Sequence, residues 1–468
     1  MVMDVLLLSR LQFAFTICFH YIYPPLSIGL GVNLVIMEGL WLLTRDPAYY
    51  QMARFWAKIF ALTFAMGVAT GIVMEFEFGT NWATYSRYVG DVFGSTLAAE
   101  GIFAFFLESG FLAVVLFGWD RVGPKFHFFS TCMVCLGSHF SAVWIVVANS
   151  WMQTPAGFRI VGEGMQARAQ VADFWAMVFN PSMMDRLAHT IIAAWQAGAW
   201  LVVSVSAYYL LRKCHIDFAQ RSFKVGISVA FVSALLQLVS GDSTAKGVAL
   251  NQPAKLAAIE GLFHTEVAPL SLFGWVDEKN GKIDGVEIPY LLTFLTYRDF
   301  TTPVAGLDKV PKADRAPVGF VFQTYHGMVA IGMAMIGLGM LGVFLWWRGL
   351  IFSDVWWMRR FVLPAMVVSV LGPQIANQLG WMTAEVGRQP WIVYGLLRTS
   401  EGLSKTVKAD AVLGSLVLFT FVYVFLFALF IFLLNEKLQH GPELERPAHE
   451  GNVADALRDP QHFDQSRT

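Results

Sequence analysis

The chain has 468 residues, of which 56% are hydrophobic and only 14% are charged. Soluble proteins carry about 25% charged residues, so lipid must be the solvent for much of this chain. The formal net charge of −1 excludes the strongly basic class of nucleic-acid-binding proteins, and no nucleic-acid partner is expected.

Nine apolar runs reach the roughly 20 residues that cross the hydrocarbon layer of a bilayer. They cover residues 11–43, 53–74, 94–118, 126–149, 187–211, 223–241, 318–347, 361–384 and 410–435. The sequence therefore predicts an all-α integral membrane protein of about nine transmembrane helices, with six in residues 1–241 and three in residues 318–435. Residues 242–317 lack a spanning run and are predicted to form one large external loop. Residues 436–468 are polar, and we expect a disordered cytoplasmic tail.

Basic residues set the predicted orientation. The loops at 44–58, 119–125, 212–224 and 348–360 are rich in Lys and Arg, and the positive-inside rule places such loops in the cytoplasm. The N-terminus then lies outside and the C-terminus lies inside after nine spans. The loop at 386–409 is an exception, because it carries four basic residues and yet is predicted to lie outside.

Polar groups inside the runs are costly and are commonly functional. The group comprises His20, Glu100, Glu108, His189, His326 and Met328, and Glu385 lies at the outer end of the eighth run. Counting the helical rise of about 1.5 Å per residue places His20, His189, Met328 and Glu385 in the outer half of the membrane, on separate helices. Imidazole, thioether and carboxylate ligands at one depth predict a cofactor held between helices. A haem-free proton-coupled transporter that uses the three glutamates as relays is the alternative.

The pair Cys132-x-x-Cys135 has the spacing of a metal or redox site. A second such pair, or a histidine at zinc spacing, is absent from the sequence. We therefore expect both thiols to be packed, buried side chains.

Six stretches carry a resemblance to a known family. They are SRLQFAFTICFHYIYPP at 9–25, MEFEFGTNW at 74–82, AAEGIFAFFLES at 98–109, VANSWMQTP at 147–155, KLAAIEG at 255–261 and GWMTAEVGRQPW at 380–391. Together they resemble subunit I of cytochrome bd-type quinol oxidases, in the form with a short quinol loop. The resemblance runs from about residue 5 to residue 435, and it implies a membrane enzyme that oxidises quinol and reduces O2 to water.

The resemblance implies the haem ligands. His189 and Met328 stand at the positions that hold a low-spin haem b. His20 and Glu385 stand at the positions that serve a high-spin haem b and haem d, and which serves which is left open. A bd-like oxidase that carries haem b in place of haem d is a further alternative.

Three neighbouring residues complete the implied haem site. Arg388 is expected to neutralise haem propionates, and Trp381 is expected to pack against a haem. The family commonly has Arg two residues before the ligating Met, whereas this chain has His326. A titratable imidazole therefore replaces a permanent charge beside the low-spin haem.

The resemblance also assigns proton-handling residues. Glu100 and Glu108 match carboxylates near the oxygen site and its proton supply. Lys255 and Glu260 match residues of the quinol-binding loop, where a carboxylate base beside a cation suits a quinol that loses protons with its electrons.

The resemblance also implies the partners and the location of the protein. The expected partners are quinol, O2, lipid, a second large membrane subunit and one or more small single-helix subunits. The expected location is the bacterial inner membrane, and protons taken from inside and released outside would generate a proton motive force.

Overall fold

The structure is a computed structural model that describes residues 4–443. Within that part, nine helical segments are long and apolar enough to cross a membrane. They are Val5–Thr44, Pro47–Thr80, Ala83–Phe117, Pro124–Gln153, Met183–Arg212, Ile216–Asn251, Val318–Trp347, Met358–Val386 and Ala409–His440. The predicted number of spans and the helical fold class are confirmed.

Fifteen α-helices and three strand pairs make up the regular structure of the described residues. In chain order the helices are α1 Val5–His20, α2 Tyr23–Thr44, α3 Pro47–Thr80, α4 Ala83–Glu100, α5 Phe106–Phe117, α6 Pro124–Gln153, α7 Phe174–Val178, α8 Met183–Arg212, α9 Ile216–Asn251, α10 Pro253–Ile259, α11 Leu291–Tyr297, α12 Val318–Trp347, α13 Leu363–Val368, α14 Leu371–Val386 and α15 Ala409–His440. The strands form antiparallel pairs: β1 Phe158–Val161 with β2 Arg168–Val171, β3 Leu270–Asp277 with β4 Lys282–Ile288, and β5 Trp391–Val393 with β6 Leu397–Arg398.

The first segment is broken into two helices at residues 21 and 22. Pro24 and Pro25 lie in the first turn of α2, and proline has no N–H with which to continue the hydrogen bonds of α1. The prediction of one helix over 11–43 is therefore wrong at this point. Helix α1 begins at Val5, six residues before the predicted start at Leu11, and His20 is its last residue.

The sixth span is longer than predicted and shortens the loop that follows. Helix α9 runs to Asn251, ten residues past the predicted end at 241, and a proline at 253 follows it. The connection to α12 is folded: it holds α10, the β3–β4 hairpin and α11 around a small apolar core. At the other end α15 continues to His440, five residues into the tail predicted over 436–468. Residues 444–468 of that predicted tail lie outside the described residues.

Two helix groups share α8. Helices α8, α9, α12 and α14 pack as a ring in that order, which leaves α8 and α12 on opposite corners. Helix α2 packs against α3, α6 and α8. A Cβ added at Gly198 would lie 2.2 Å from the backbone of Gly29, so α2 and α8 cross in backbone contact, as small residues permit in membranes.

Candidate functional site

The C-terminal end of α14 carries a polar cluster centred on Glu385. Its Oε1 accepts hydrogen bonds from Asn149 Nδ2 at 3.1 Å and from Gln153 Nε2 at 3.2 Å. Its Oε2 forms an ion pair with Arg388, one turn along the chain. Both amides come from the end of α6, so α6 and α14 build the cluster together.

Two further cations join this cluster. Arg186 donates to the Oδ1 of Asn149, and the Lys255 Nζ donates to the Oε1 of Gln153. Burial, helped by the positive charges of Arg186 and Arg388, lowers the pKa of Lys255 well below its usual value. Three cationic side chains thus surround a single carboxylate.

The basic side chains of this cluster have more hydrogen-bond donors than the cluster has acceptors. The Nε of Arg186 and the Nε and Nη1 of Arg388 are buried and have no hydrogen-bond partner. Buried donors of this kind are costly unless an acceptor reaches them. A planar guanidinium suits a carboxylate, so the cluster fits a ligand that brings anionic carboxyl groups, as haem propionates do.

Trp381 connects this cluster to the break between α1 and α2. Its ring packs edge-on against Tyr21 at 5.4 Å, and the Arg186 guanidinium lies 5.6 Å from its centre. One turn earlier on α14, Gln378 donates to the Cys18 carbonyl at 2.8 Å. Helix α14 therefore lies alongside the end of α1, where His20 stands.

His20 is held in one orientation by α3. Its Nδ1 lies 3.0 Å from the Thr70 hydroxyl, which itself donates to the Met66 carbonyl at 2.8 Å. The hydroxyl therefore accepts from Nδ1–H, which leaves the lone pair on Nε2. A histidine that ligates iron commonly donates its other N–H in this way, so His20 fits its predicted role.

His189 and Met328 stand on opposite corners of the four-helix ring. The His189 Nδ1 lies 3.0 Å from the Ser240 hydroxyl, which donates to the Gln237 carbonyl, so the Nε2 again carries the lone pair and accepts from the Gln237 side chain at 2.9 Å. The Met328 sulfur points at α14, where a Cβ on Gly380 would lie 2.9 Å from it. Ligands from facing helices of a bundle core can hold a haem between them.

His326 faces the external loop. Its Nδ1 lies 2.9 Å from the Phe322 carbonyl and its Nε2 lies 2.8 Å from the Ser271 carbonyl on β3. Its ring also stacks on Phe322 at 3.9 Å. In this position the imidazole ties α12 to the β3–β4 hairpin.

Lys255 and Glu260 do not form the predicted cation–base pair. Helix α10 ends at Ile259, and Glu260 turns toward α12, where its carboxyl hydrogen-bonds Tyr325. Burial raises the pKa of Glu260 to about 8, against the lowering effect of Tyr325. Its Oε2 is buried without a partner, while Lys255 belongs to the Glu385 cluster.

Glu100 and Glu108 line the contact between the third and fourth spans. A π-helical turn, Gly101–Phe105, separates them, and such turns are frequent at functional sites. Glu100 accepts from the Ser141 hydroxyl at 2.8 Å. Glu108 is 5% exposed and its Oε1 has no partner.

Sequence reasoning missed four members of these clusters. Asn149 and Gln153 lie within the VANSWMQTP stretch that carried the resemblance, but no role was assigned to them. Arg186 is an ionisable residue near the start of a span, and the depth argument applied to the histidines could have found it. Tyr325 carries no such signal, because tyrosine is common at membrane interfaces.

These features define a class of protein. It is a helical membrane protein whose spans present separate imidazole, thioether and carboxylate side chains, with a cluster rich in guanidinium groups around the carboxylate. Within residues 4–443, no group of three or more His, Cys, Asp or Glu side chains could hold a free metal ion. Iron in a porphyrin needs only one or two axial protein ligands, so the arrangement fits haem.

Comparison with known proteins gives the family. The family model described as cytochrome bd terminal oxidase subunit I matches residues 8–442. Cytochrome bd ubiquinol oxidase subunit 1 of Bacillus subtilis (strain 168) is 38% identical over 453 residues, covering 94% of this chain and 95% of that protein. Cytochrome bd-II ubiquinol oxidase subunit 1 of Escherichia coli (strain K12) is 32% identical over 507 residues, covering 94% and 97%.

A solved structure agrees with the sequence matches. The bd oxidase from Geobacillus thermodenitrificans superposes with a TM-score of 0.86 at 30% identity, covering 94% of this chain and 99% of that one. The chain therefore belongs to the family of cytochrome bd terminal oxidase subunit I. The predicted resemblance and the prediction of a quinol:oxygen oxidoreductase subunit are confirmed, and the transporter alternative is wrong.

Proposed function

We propose that this chain oxidises quinol at the outer membrane face and reduces O2 to water with protons drawn from inside, which generates a proton motive force. The observation that carries the proposal is the Glu385 cluster, where three cations surround one carboxylate and three guanidinium nitrogens lack partners. Burying this many unpaired charged donors would be costly in a membrane protein that holds no anionic cofactor.

The proposed haem-holding residues are those that the resemblance implies, and the geometry of their donors supports them. His189 and Met328, on opposite corners of the four-helix ring, would hold a low-spin haem b. His20 and Glu385 would serve a high-spin haem b and a third haem, which is haem d or haem b in its place. When bound, the haems supply electron transfer and O2 reduction.

Arg186, Arg388 and Trp381 orient the bound group. The unpartnered nitrogens of the two arginines would donate to propionate oxygens, and bidentate contacts of this kind fix a plane as well as a charge. The Trp381 ring, between Tyr21 and Arg186, would exclude water from the same face.

Glu260 is the proposed base for quinol. Its free Oε2 can accept a hydrogen bond from a quinol hydroxyl, and a pKa of about 8 lets it take and release a proton near neutral pH. The folded loop that carries it holds the site at one face of the membrane. Lys255, in the Glu385 cluster, links that loop to the haem-binding residues through Gln153.

The remaining parts of the assembly come from the family. A second large membrane subunit is implied for a subunit I protein, and we propose small single-helix subunits and lipid on the exposed helix faces. The basic loops place the N-terminus outside and the C-terminus inside, in the bacterial inner membrane. Glu108 and Glu100 are proposed to carry protons from inside.

A Glu260→Gln variant of the purified complex tests the quinol assignment. We expect quinol oxidation to fall on the order of 100-fold, the usual contribution of a positioned base, while all haem absorption bands persist. Glu266→Gln, on the same loop, is the matched control. Loss of the haem bands in Glu260→Gln would make the loop residue structural.

Separate variants test the low-spin ligands. His189→Ala and Met328→Ala should each remove the low-spin haem b signal from the reduced-minus-oxidised spectrum, because the haem would lose one of the two residues proposed to hold it. Met333→Ala is the control, because this thioether lies on the same helix as Met328 and is exposed. An unchanged low-spin signal in the first two variants would reject the pair.

A further inference from the structure

A second buried ionisable cluster lies far along α6 from the Glu385 site. Glu38 on α2 accepts from the Thr131 hydroxyl at 2.5 Å, and its other oxygen lies 2.6 Å from the His127 Nδ1. Glu38 and His127 are each 1% exposed and Thr131 is 3% exposed. His127 stands in the first turns of α6, beside the basic loop at 119–125 that is predicted to face the cytoplasm.

The cluster is incompletely satisfied. The Nε2 of His127 is buried and has no hydrogen-bond partner, while the Trp119 ring covers the imidazole at a centre distance of 3.9 Å. In a purely structural pair this nitrogen would stay buried without a hydrogen bond, at a cost in stability. A buried orphan nitrogen beside a carboxylate instead suggests a group that exchanges a proton with internal water.

A line of polar side chains leads from this cluster to Glu108. Cys132 lies within electrostatic reach of Glu38, and Cys135 lies within reach of Glu108. The two thiols are one helical turn apart on the same face of α6. Gly31 of α2 packs on the same stretch of α6, where an added Cβ would lie 3.4 Å from the Cys135 sulfur.

The line ends at the proposed proton carriers. A Cβ on Gly137 would lie 2.9 Å from Glu108, so Glu108 packs directly on α6. Gly137 is ten residues beyond His127, or about 15 Å along the helix. Unpartnered buried atoms on His127 and Glu108 thus mark the two ends of one seam, and internal waters could connect them past the two thiols.

We propose that Glu38 and His127, positioned by Thr131, form the proton-loading pair at the cytoplasmic end of this seam and feed Glu108. The inference rests on the proposed function, which takes protons for O2 reduction from inside. In the transfer, the His127 Nε2 takes a proton from inner water while its Nδ1 gives its own proton to the Glu38 carboxylate. One proton enters, and the total charge of the pair rises by one until Glu38 passes that proton on toward Glu108.

The test uses the purified, haem-loaded complex. Fully reduced enzyme is mixed with O2 in weakly buffered solution, and a pH-indicator dye follows the rate of proton uptake in Glu38→Gln, His127→Gln and Glu108→Gln. Ser130→Ala is the control, because its hydroxyl is buried beside the cluster but bonds the Phe126 carbonyl. Haem-to-protein ratio, the redox difference spectrum and the solvent deuterium isotope effect are recorded for each.

We expect uptake to slow on the order of 100-fold in all three test variants, with a larger isotope effect and unchanged haem content. If Glu108→Gln is slow while Glu38→Gln and His127→Gln match the wild type, the loading pair is overturned and the proposed function stands. If all three variants take up protons at the wild-type rate, both the loading pair and the inward proton route of the proposed function are overturned.

A smaller substitution keeps the test possible if the Glu38→Gln variant does not fold. Should Glu38→Gln fail to assemble, Thr131→Val removes one hydrogen bond to Glu38 with little change of volume. Slowed uptake with normal haem content supports the pair. Uptake at the wild-type rate in Thr131→Val, with normal haem content, overturns it.

Discussion

At the residue scale, the charge balance around Glu385 is the most informative feature of the molecule. Three cations, two of them with free guanidinium nitrogens, surround one carboxylate. Charge in a poorly solvated site acts over long distances. These side chains should therefore influence the electronic properties of any haem they hold as well as its orientation.

Arg388→Gln should lower the reduction potential of the haem that Arg388 faces. Removing a nearby positive charge favours the oxidised, more positive iron. A loss of about 1.4 kcal/mol corresponds to about 59 mV in a one-electron couple. A spectroscopic redox titration measures the shift. Arg398→Gln is the control, because Arg398 pairs with Asp314 on the loop; an equal shift in both variants would contradict a direct contact.

Tyr325→Phe should shift the pH dependence of quinol oxidation. Burial raises the pKa of Glu260 to about 8, so the ionised base forms as pH rises through that value and the rate should rise with it. The Tyr325 contact lowers this pKa, and its removal should move the rise to higher pH. Steady-state rates across pH measure the shift, and superimposable profiles would argue against the contact.

The same scale shows where sequence reasoning reached its limit. His20 lies in one of the six stretches that carry the resemblance, whereas His189 and Met328 were assigned from their positions within its full extent. The pairing of Lys255 with Glu260 rested on the resemblance and on the chemistry of quinol oxidation, and neither gives the directions of the two side chains. Helix α10 ends between them, and the end of a seven-residue helix sends the two side chains to different neighbours.

At the element scale, the crossing of α2 and α8 depends on two glycines. A Cβ on Gly198 would lie 2.2 Å from Gly29, so Gly198→Leu should force the helices apart. We expect loss of haem and a lower thermal transition, measured by absorbance and by unfolding of the purified complex. Gly94→Leu on α4 is the control, because a Cβ there meets nothing within 4 Å. Equal behaviour of both variants would disprove the close crossing.

Hydropathy predicted the spans because the bilayer fixes how many apolar residues a helix needs. It missed the end of α9, whose last turns leave the apolar run and continue into the folded loop. It also missed the break before α2, which depends on Pro24 and Pro25 within an apolar stretch. The β3–β4 hairpin had a readable signal, an Asn280–Gly281 turn between two strand-like runs, but no strand was predicted there.

At the scale of the whole molecule, quinol oxidation and proton entry require opposite faces. The β3–β4 hairpin belongs to the loop that carries Glu260, whereas the basic loop at 119–125 adjoins His127. The two must lie on opposite sides of the membrane if protons cross between them.

Cysteine labelling tests this sidedness. A membrane-impermeant maleimide should label Asn280→Cys in intact spheroplasts and label Arg121→Cys only after permeabilisation, because both positions are exposed at predicted opposite faces. The wild-type chain, with its four cysteines, gives the background. Labelling of both variants in intact spheroplasts would contradict the topology.

The most direct test of the central claim is the pigment of the purified complex. Its haems should be extracted and counted per chain, and its reduced-minus-oxidised spectrum recorded, including the red region where a chlorin absorbs. We predict one low-spin haem b for every two high-spin haems, with a red band if one of these is haem d. A correctly assembled complex without iron porphyrin would contradict the claim.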